Sequence, residues 1–207
     1  MSPETAPKLP HSAAILAGGR SRRMGRNKSM LEIGGIPIIR RIADTLDEIF
    51  AEVFVVANEK EGFERMGLAV VGDIHPGNDS LGGLHTAVVS AVGSHVFVAG
   101  CDMPLVQTAL LSGLAAMVDE WDVIIPIKDD YPEPLCAFYG KECAPHIEES
   151  ISAGRLKMIG FHERVRVRRV EEAAWRAWDP EGVSFLNANT PEEFEKIKVI
   201  SMRGEPK

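Results

Sequence analysis

Ser12-Ala-Ala-Ile-Leu-Ala-Gly-Gly-Arg-Ser-Arg-Arg-Met-Gly-Arg-Asn-Lys28 joins two kinds of sequence end to end. Residues 12–17 are a short apolar run that stops at Gly18-Gly19, a length and a stop that predict a buried strand. Residues 18–28 then combine Gly18, Gly19 and Gly25 with Arg20, Arg22, Arg23, Arg26 and Lys28. Glycine lets a backbone approach a ligand closely and turn N–H groups toward anionic oxygens. Arginine forks and a lysine point charge add neutralising charge. The composition alone also fits a solvated basic turn. Two known phosphate loops fail on spacing. A Walker A loop needs Gly-Lys-Ser/Thr in sequence, and Gly25 stands three positions before Lys28-Ser29. A dinucleotide fingerprint needs G-x-G-x-x-G, which Gly18-Gly19 does not provide.

Outward from this stretch, apolar β-branched runs at 53–57, 68–71, 95–100 and 123–126 read as strands. Helix-like segments at 37–50, 81–92 and 107–119 lie between them, with Pro37 suited to a first helical turn. This alternation predicts an α/β fold, a Rossmann-like three-layer sandwich with a mostly parallel sheet. Ligands of such sheets sit at the carboxyl ends of the strands. The segments 18–28, 73–83 and 101–104 are therefore expected to converge. From about Asp129 the alternation is less regular: 135–139 and 164–170 read as strands and 141–153 as a helix. Arg and Val alternate over 164–169, which puts the charges on one strand face, read as solvated. Asn189-Thr-Pro-Glu-Glu193 reads as a helix start with Asn189 or Thr190 as cap. The expected organisation is a flexible segment at 1–10, a single domain over 11–200 with an acceptor-binding lobe at roughly 129–190, and a frayed tail at 201–207.

The 207 residues suffice for one sizeable core, and the net charge of −7 argues against a nucleic-acid or anionic-membrane binder. The cysteines Cys101, Cys136 and Cys143 form no C-x-x-C pair and read as reduced core residues. With no secretion signal and no apolar run near the roughly 20 residues of a membrane span, the expected location is the cytoplasm. The six histidines show no metal spacing and no acid–base pairing. Ser21 and Ser29 have no recognisable triad partner, so no covalent nucleophile is proposed.

Val96-Phe-Val-Ala-Gly-Cys-Asp102 is an apolar strand ending in a carboxylate, a natural ligand for magnesium beside a phosphate loop and equally a turn cap. Asp73 and Asn58 close strands in the same way, and Asp73 alone reads as a turn residue.

The loop Leu16-Ala-Gly-Gly-x-Ser-x-Arg-Met-Gly-x-Asn-Lys28 resembles the signature of the molybdenum cofactor guanylyltransferases (the MobA family). The likeness continues through Asn58, Asp73, Gly82-Gly83, Asp102 and Asn187-x-Asn-Thr-Pro-Glu-Glu193, over nearly the whole chain. It implies the nucleotidyltransferase fold and transfer of GMP from GTP to the terminal phosphate of molybdopterin, or Mo-molybdopterin, with release of pyrophosphate. It implies Lys28, Asp102, Arg22 and Arg23 as catalytic groups, and Leu16, Ala17, Gly18, Gly19, Lys28, Asn58, Asp73, Gly82, Gly83 and Asp102 as nucleotide contacts. Magnesium would sit on Asp102. Asn187 and Asn189 would lie near metal and acceptor, and Gly154-Arg155 with Lys157 resembles the lobe that grips the pterin phosphate. Accessory proteins and recipient molybdoenzymes are the implied partners. The family often has Gly-Pro-Leu where this chain has Asp79-Ser80-Leu81, a departure at the base pocket. The remaining readings are a cytidylyl- or sugar-nucleotide transferase, or a GTP-binding module without catalysis.

Overall fold

The computed structural model describes residues 7–18 and 28–204, excluding the side chains of 28, 203 and 204. Strand β1 (Leu9–Leu16) lies at the centre, parallel to β4 (Phe50–Val56) on one side and β6 (His95–Gly100) on the other. Its side chains divide with a period of two. Ala13 and Ile15 enter one apolar layer and Ala14 and Leu16 the other. That double burial explains why the run is continuously apolar. β1 starts at Leu9, inside the segment expected to be flexible, because Leu9 pairs with Phe50 across a register shift.

Between β1 and β4 the chain forms a small hairpin, β2 (Glu32–Ile33) with β3 (Ile36–Pro37), and then helix α1 (Ile38–Ile49). Pro37 is the N-cap, one residue before the expected place in the first turn. Ile38, Ile39, Ile42, Ala43 and Leu46 recur at helical spacing and bury one face. After β4 come a single turn α2 (Glu61–Glu64) and the short edge strand β5 (Val70–Val71), parallel to β4. Helix α3 (Asp79–Ser90) leads to β6, and α4 (Thr108–Ala115) leads to β7 (Val123–Lys128).

The expected irregularity after Asp129 has a specific cause. Asp129 and Asp130 have φ of 50° and 66°, so a two-residue turn with left-handed geometry folds β8 (Tyr131–Pro132) back onto β7. β9 (Cys136–Gly140) then inserts between β6 and β7, antiparallel to both. So short a connection cannot make the crossover that a parallel strand needs. Helix α5 (Ala144–Ser152) follows, then β10 (Val167–Val170), parallel to β7. β10 is shorter than the 164–170 expected, because residues 162–164 form a 3-10 turn. The sheet order is β10-β7-β9-β6-β1-β4-β5, mostly parallel, with β9 running against its neighbours.

One apolar layer gathers α1, α4, the single turn α6 (Glu172–Trp175) and helix α7 (Pro191–Gly204); the other gathers α3 and α5. The expected three layers are thus present. α7 continues to Gly204, through the first four of the residues 201–207 expected to fray, with the last three outside the described residues; Ser201 is buried, and its Oγ accepts a hydrogen bond from Arg41 Nη1 at 3.1 Å. The cysteines are unbridged, and burial pushes the Cys143 thiol up to about 12, consistent with inert packing.

The arginine stripe is a paired, solvated face. Arg164 meets Glu149, Arg168 lies over Trp121 and Arg169 meets Glu171. Arg166 is the structural member: Asp122, 11% exposed, accepts from its guanidinium at 2.6 Å and from its backbone N at 2.8 Å. The guanidinium hydrogen bond holds the Asp122 carboxyl below its usual pKa range. Because the folded value is depressed, the stabilisation is present above the unfolded carboxylate pKa and is lost as pH falls through the folded one. Asp122→Asn should cost on the order of 1–3 kcal/mol at pH 7. In urea denaturation followed from pH 7 down to pH 2–3, the deficit should shrink below about pH 4.

Candidate active site

The strands beside β1 stop with it. Leu16 pairs with Val56 of β4 and with Gly100 of β6, so three parallel strands reach their carboxyl ends in one row. Ala17 adds one further bond, its N donating to the Val56 carbonyl at 3.0 Å. Gly18, Asn58 and Asp102 therefore emerge at the same edge; of the segments expected to converge, 18–28 is described only at Gly18 and from residue 28. A Cβ built on Gly18 meets nothing nearer than the Val56 oxygen at 4.0 Å, and its φ lies outside the left-handed region. Glycine is not demanded there by backbone or packing. Gly19, Arg22, Arg23 and the Lys28 side chain lie outside the described residues; the backbone resumes in a 3-10 turn at Lys28–Met30.

A hydrogen-bond network fixes the loop after β5. Asn58 Oδ1 accepts from Asp73 N at 3.2 Å, and Asp73 Oδ1 accepts from His75 N at 3.0 Å. Thr86 Oγ1 accepts from Ile74 N at 2.9 Å and stands 3.0 Å from both Asp73 Oδ1 and the Gly82 carbonyl. Asp73 is thus a turn residue, as its sequence alone read, and is also tied to α3. Gly82 and Gly83 are buried in the first turns of α3. A Cβ on Gly82 would lie 2.7 Å from the His75 carbonyl, and one on Gly83 would touch Leu16 at 3.4 Å. These glycines bring helix, loop and strand end together. The departure from Gly-Pro-Leu has a backbone counterpart: Asp79 has φ 49°, the left-handed geometry that glycine adopts freely and aspartate tolerates.

Asp102, half-buried, follows β6. A Cβ on Gly100 would lie 2.8 Å from its Oδ1, so only glycine leaves room for the carboxylate in this position. The Asp102 carbonyl accepts from Ala188 N at 2.9 Å, which docks Asn187 and Asn189 beside the aspartate from far along the chain. The open question of the helix cap is resolved here. Thr190 Oγ1 accepts from Glu193 N at 3.2 Å, while Glu193 Oε2 accepts from Asn189 N at 3.0 Å and Thr190 N at 2.9 Å. This is a reciprocal capping box at the start of α7, with Thr190 as the cap. A carboxylate is a hard-oxygen donor suited to magnesium, which keeps waters and phosphate oxygens in its remaining positions; the Asn187 amide N donates to the Phe185 carbonyl at 3.3 Å.

Gly154 (φ 69°) closes α5 in a Schellman motif: Gly154 N donates to Ile151 O and Arg155 N to Ser150 O, both at 2.9 Å. That local geometry accounts for the glycine and leaves Arg155 and Lys157 exposed. Two of the histidines meet in space without any metal spacing in the sequence. His75 and His85 meet edge to face, 4.7 Å between ring centroids, and Glu148 lies 3.2 Å from His85 Nε2. The contributing residues sit on a loop and two helices, so no sequence spacing announces them.

Asp102 at the strand ends, with a basic, glycine-rich sequence following β1 in the chain, suits a polyphosphate and its counter-ion, and with the fold this defines a nucleotidyltransferase. Residues 13–167 match the family model of the MobA-like NTP transferase domain, and the chain belongs to that family. It is 40% identical over 193 residues to a probable molybdenum cofactor guanylyltransferase of Pelotomaculum thermopropionicum, covering 93% of this chain and 94% of the relative. It is 34% identical to a molybdenum cofactor guanylyltransferase of Desulfosudis oleivorans, over 92% and 95% of the two chains. The solved structure of molybdopterin-guanine dinucleotide biosynthesis protein A from Archaeoglobus fulgidus superposes with a TM-score of 0.81 at 29% identity, over 93% of this chain and 99% of that one.

Gly82→Ala should destabilise the protein by roughly 1–3 kcal/mol, because the new methyl meets a backbone carbonyl that cannot rotate away. Gly83→Ala, which meets only the Leu16 side chain, should cost less. Urea denaturation of both variants checks the order; equal stabilities would refute the close approach.

Proposed function

We propose that this protein transfers GMP from GTP to the terminal phosphate of molybdopterin or Mo-molybdopterin, releasing pyrophosphate and forming molybdopterin guanine dinucleotide. The observation that carries this reading is the docking of residues 187–189 on Asp102 at the edge where β1, β4 and β6 end together. The names of the full-length relatives support the same substrates.

An oxygen of the acceptor phosphate bonds to the α-phosphorus of GTP. The bond from that phosphorus to the bridging oxygen breaks, and its electron pair leaves on pyrophosphate. The acceptor is already an anion at neutral pH, so no general base is assigned. The barrier is the approach of two polyanions. Backbone groups of Leu16, Ala17, Gly18 and Gly19 line the phosphates, and Lys28, Arg22 and Arg23 oppose their charge. Asn58 and Asp73 hold the nucleoside, with Gly82 and Gly83 behind the base. Asp102 holds magnesium, which when bound supplies charge neutralisation at the phosphate oxygens. Asn187, Asn189 and Arg155 orient the acceptor, so that much of the rate comes from alignment. Transfer of the product to recipient molybdoenzymes through accessory proteins, in the cytoplasm, belongs to the same reading. Among the described residues no helix is long and apolar enough to cross a membrane.

The test is pyrophosphate release with purified acceptor and each of the four nucleoside triphosphates. GTP should be preferred, and a preference for CTP would overturn the guanylyl assignment. Asp102→Asn should lower turnover by about 10²–10³-fold and abolish the wild-type magnesium response; a mutant that keeps this response removes Asp102 from the metal. Gly18→Ala should leave the melting temperature nearly unchanged, since its methyl enters open space. It should raise the KM for GTP about tenfold and lower the GTP/CTP ratio, the equivalent of about 1.4 kcal/mol at the base. An unchanged ratio would exclude Gly18 as a base selector.

A further inference from the structure

The His75, His85 and Glu148 side chains form a group apart from the Asp102 edge. One donor atom from each lies within 4.8 Å of the other two, and among the described residues this is the group of histidine, cysteine and acidic side chains with that property. His75 sits in the loop held by Asp73, His85 on α3 one turn beyond Gly82, and Glu148 on α5. His85 is buried, with 5% of its side chain exposed, whereas Glu148 is 57% exposed at the rim. His75 Nε2 and His85 Nδ1 are buried without a hydrogen-bond partner. Buried polar atoms in native proteins are almost always satisfied, so the orphaned His75 Nε2 in one cluster with the His85 Nε2–Glu148 pair points to a missing ligand.

We propose that His75, His85 and Glu148 bind a zinc-class divalent ion that ties the Asp73 loop to α3 and α5. Two imidazoles and a carboxylate are a donor set found at zinc, leaving one position for water. Around a tetrahedral ion with bonds of about 2.0–2.1 Å, neighbouring donors stand roughly 3.3–3.4 Å apart. His85 Nε2 and Glu148 Oε2, at 3.2 Å, already form such an edge. Closing the rest of the group from within 4.8 Å asks for a contraction of at most about 1.5 Å, within reach of side-chain rotation. Burial, with His75 alongside, lowers the His85 pKa and so favours the neutral form that ligates. Imidazole nitrogen selects zinc over magnesium, which prefers oxygen. The ion would brace the loop whose His75 carbonyl packs against Gly82, and so stiffen the wall beside β1. It is a structural metal, distinct from the magnesium of the reaction.

The experiment uses the full chain, stripped with a chelator and titrated with zinc alone against a chromophoric competitor. Wild type should take up one zinc per chain at this site, and zinc at about 100 times Kd should raise the melting temperature by roughly 5–10 °C. Cobalt in place of zinc should give the visible absorption of a tetrahedral site. His75→Ala and Glu148→Gln should each weaken zinc binding at least tenfold and remove the melting shift. Glu148 is at the surface, so Glu148→Gln keeps the fold even if a His85 variant does not. Magnesium should produce no shift. The proposal is overturned if wild type binds no zinc at micromolar concentration. It is equally overturned if the two variants bind zinc as wild type does.

Discussion

The register of β1 between β4 and β6 is the constraint on which the site depends. Ala13, Ala14 and Ile15 are fully buried, and the ladders on both sides share one row at Leu16, Val56 and Gly100. A slip of one residue would exchange the two faces and drive each apolar side chain into the wrong layer. The ends of the strands are therefore held in line by the core. The three strands end close to this row, which is why Gly18, Asn58 and Asp102 come out together at one edge.

The two sides of the edge are braced in different ways. On the side of Asn58 and Asp73, close approach does the bracing. Gly82 lets α3 meet the His75 carbonyl, Thr86 ties Asp73 to the helix, and Asp79 keeps a left-handed turn without glycine. On the side of Asp102, a long-range backbone bond serves the same end. Ala188 N reaches Asp102 O, and the Thr190–Glu193 capping box fixes how the chain enters α7. Because the cap belongs to Thr190, the role of Asn187 and Asn189 is to be sought beside Asp102. A chain of net charge −7 carries five basic residues within the sequence segment 18–28.

Much of this was legible in the sequence. The strand over 95–100 matches β6, and the other parallel strands and the three main helices were located to within a few residues. Those elements are buried on one face or two, and burial imposes a period that a sequence displays. The strand before Gly18, the carboxylate ending a strand at Asp102 and the capping signal at 189–193 were legible for the same reason. The region after Asp129 was less so. The Asp129-Asp130 turn carries no glycine, and an antiparallel insertion such as β9 looks from its composition like any other buried strand. Fraying was expected from Ser201 because that segment is polar at intervals, yet a single contact with Arg41 and continued helical pairing keep it in place.

By itself the sequence determined the layers, the carboxyl-end edge and the chemical character of the loop that rises from it, because each of these follows from local periodicity and composition. Only the tertiary structure decided which residues meet. It brought Ala188 to Asp102 and made Gly82 a packing position, and it assembled His75, His85 and Glu148 from a loop and two helices. Such meetings depend on the packing of elements far apart in the chain. Local spacing carries no record of that packing, because the free energy that fixes it belongs to the shared core and not to either segment.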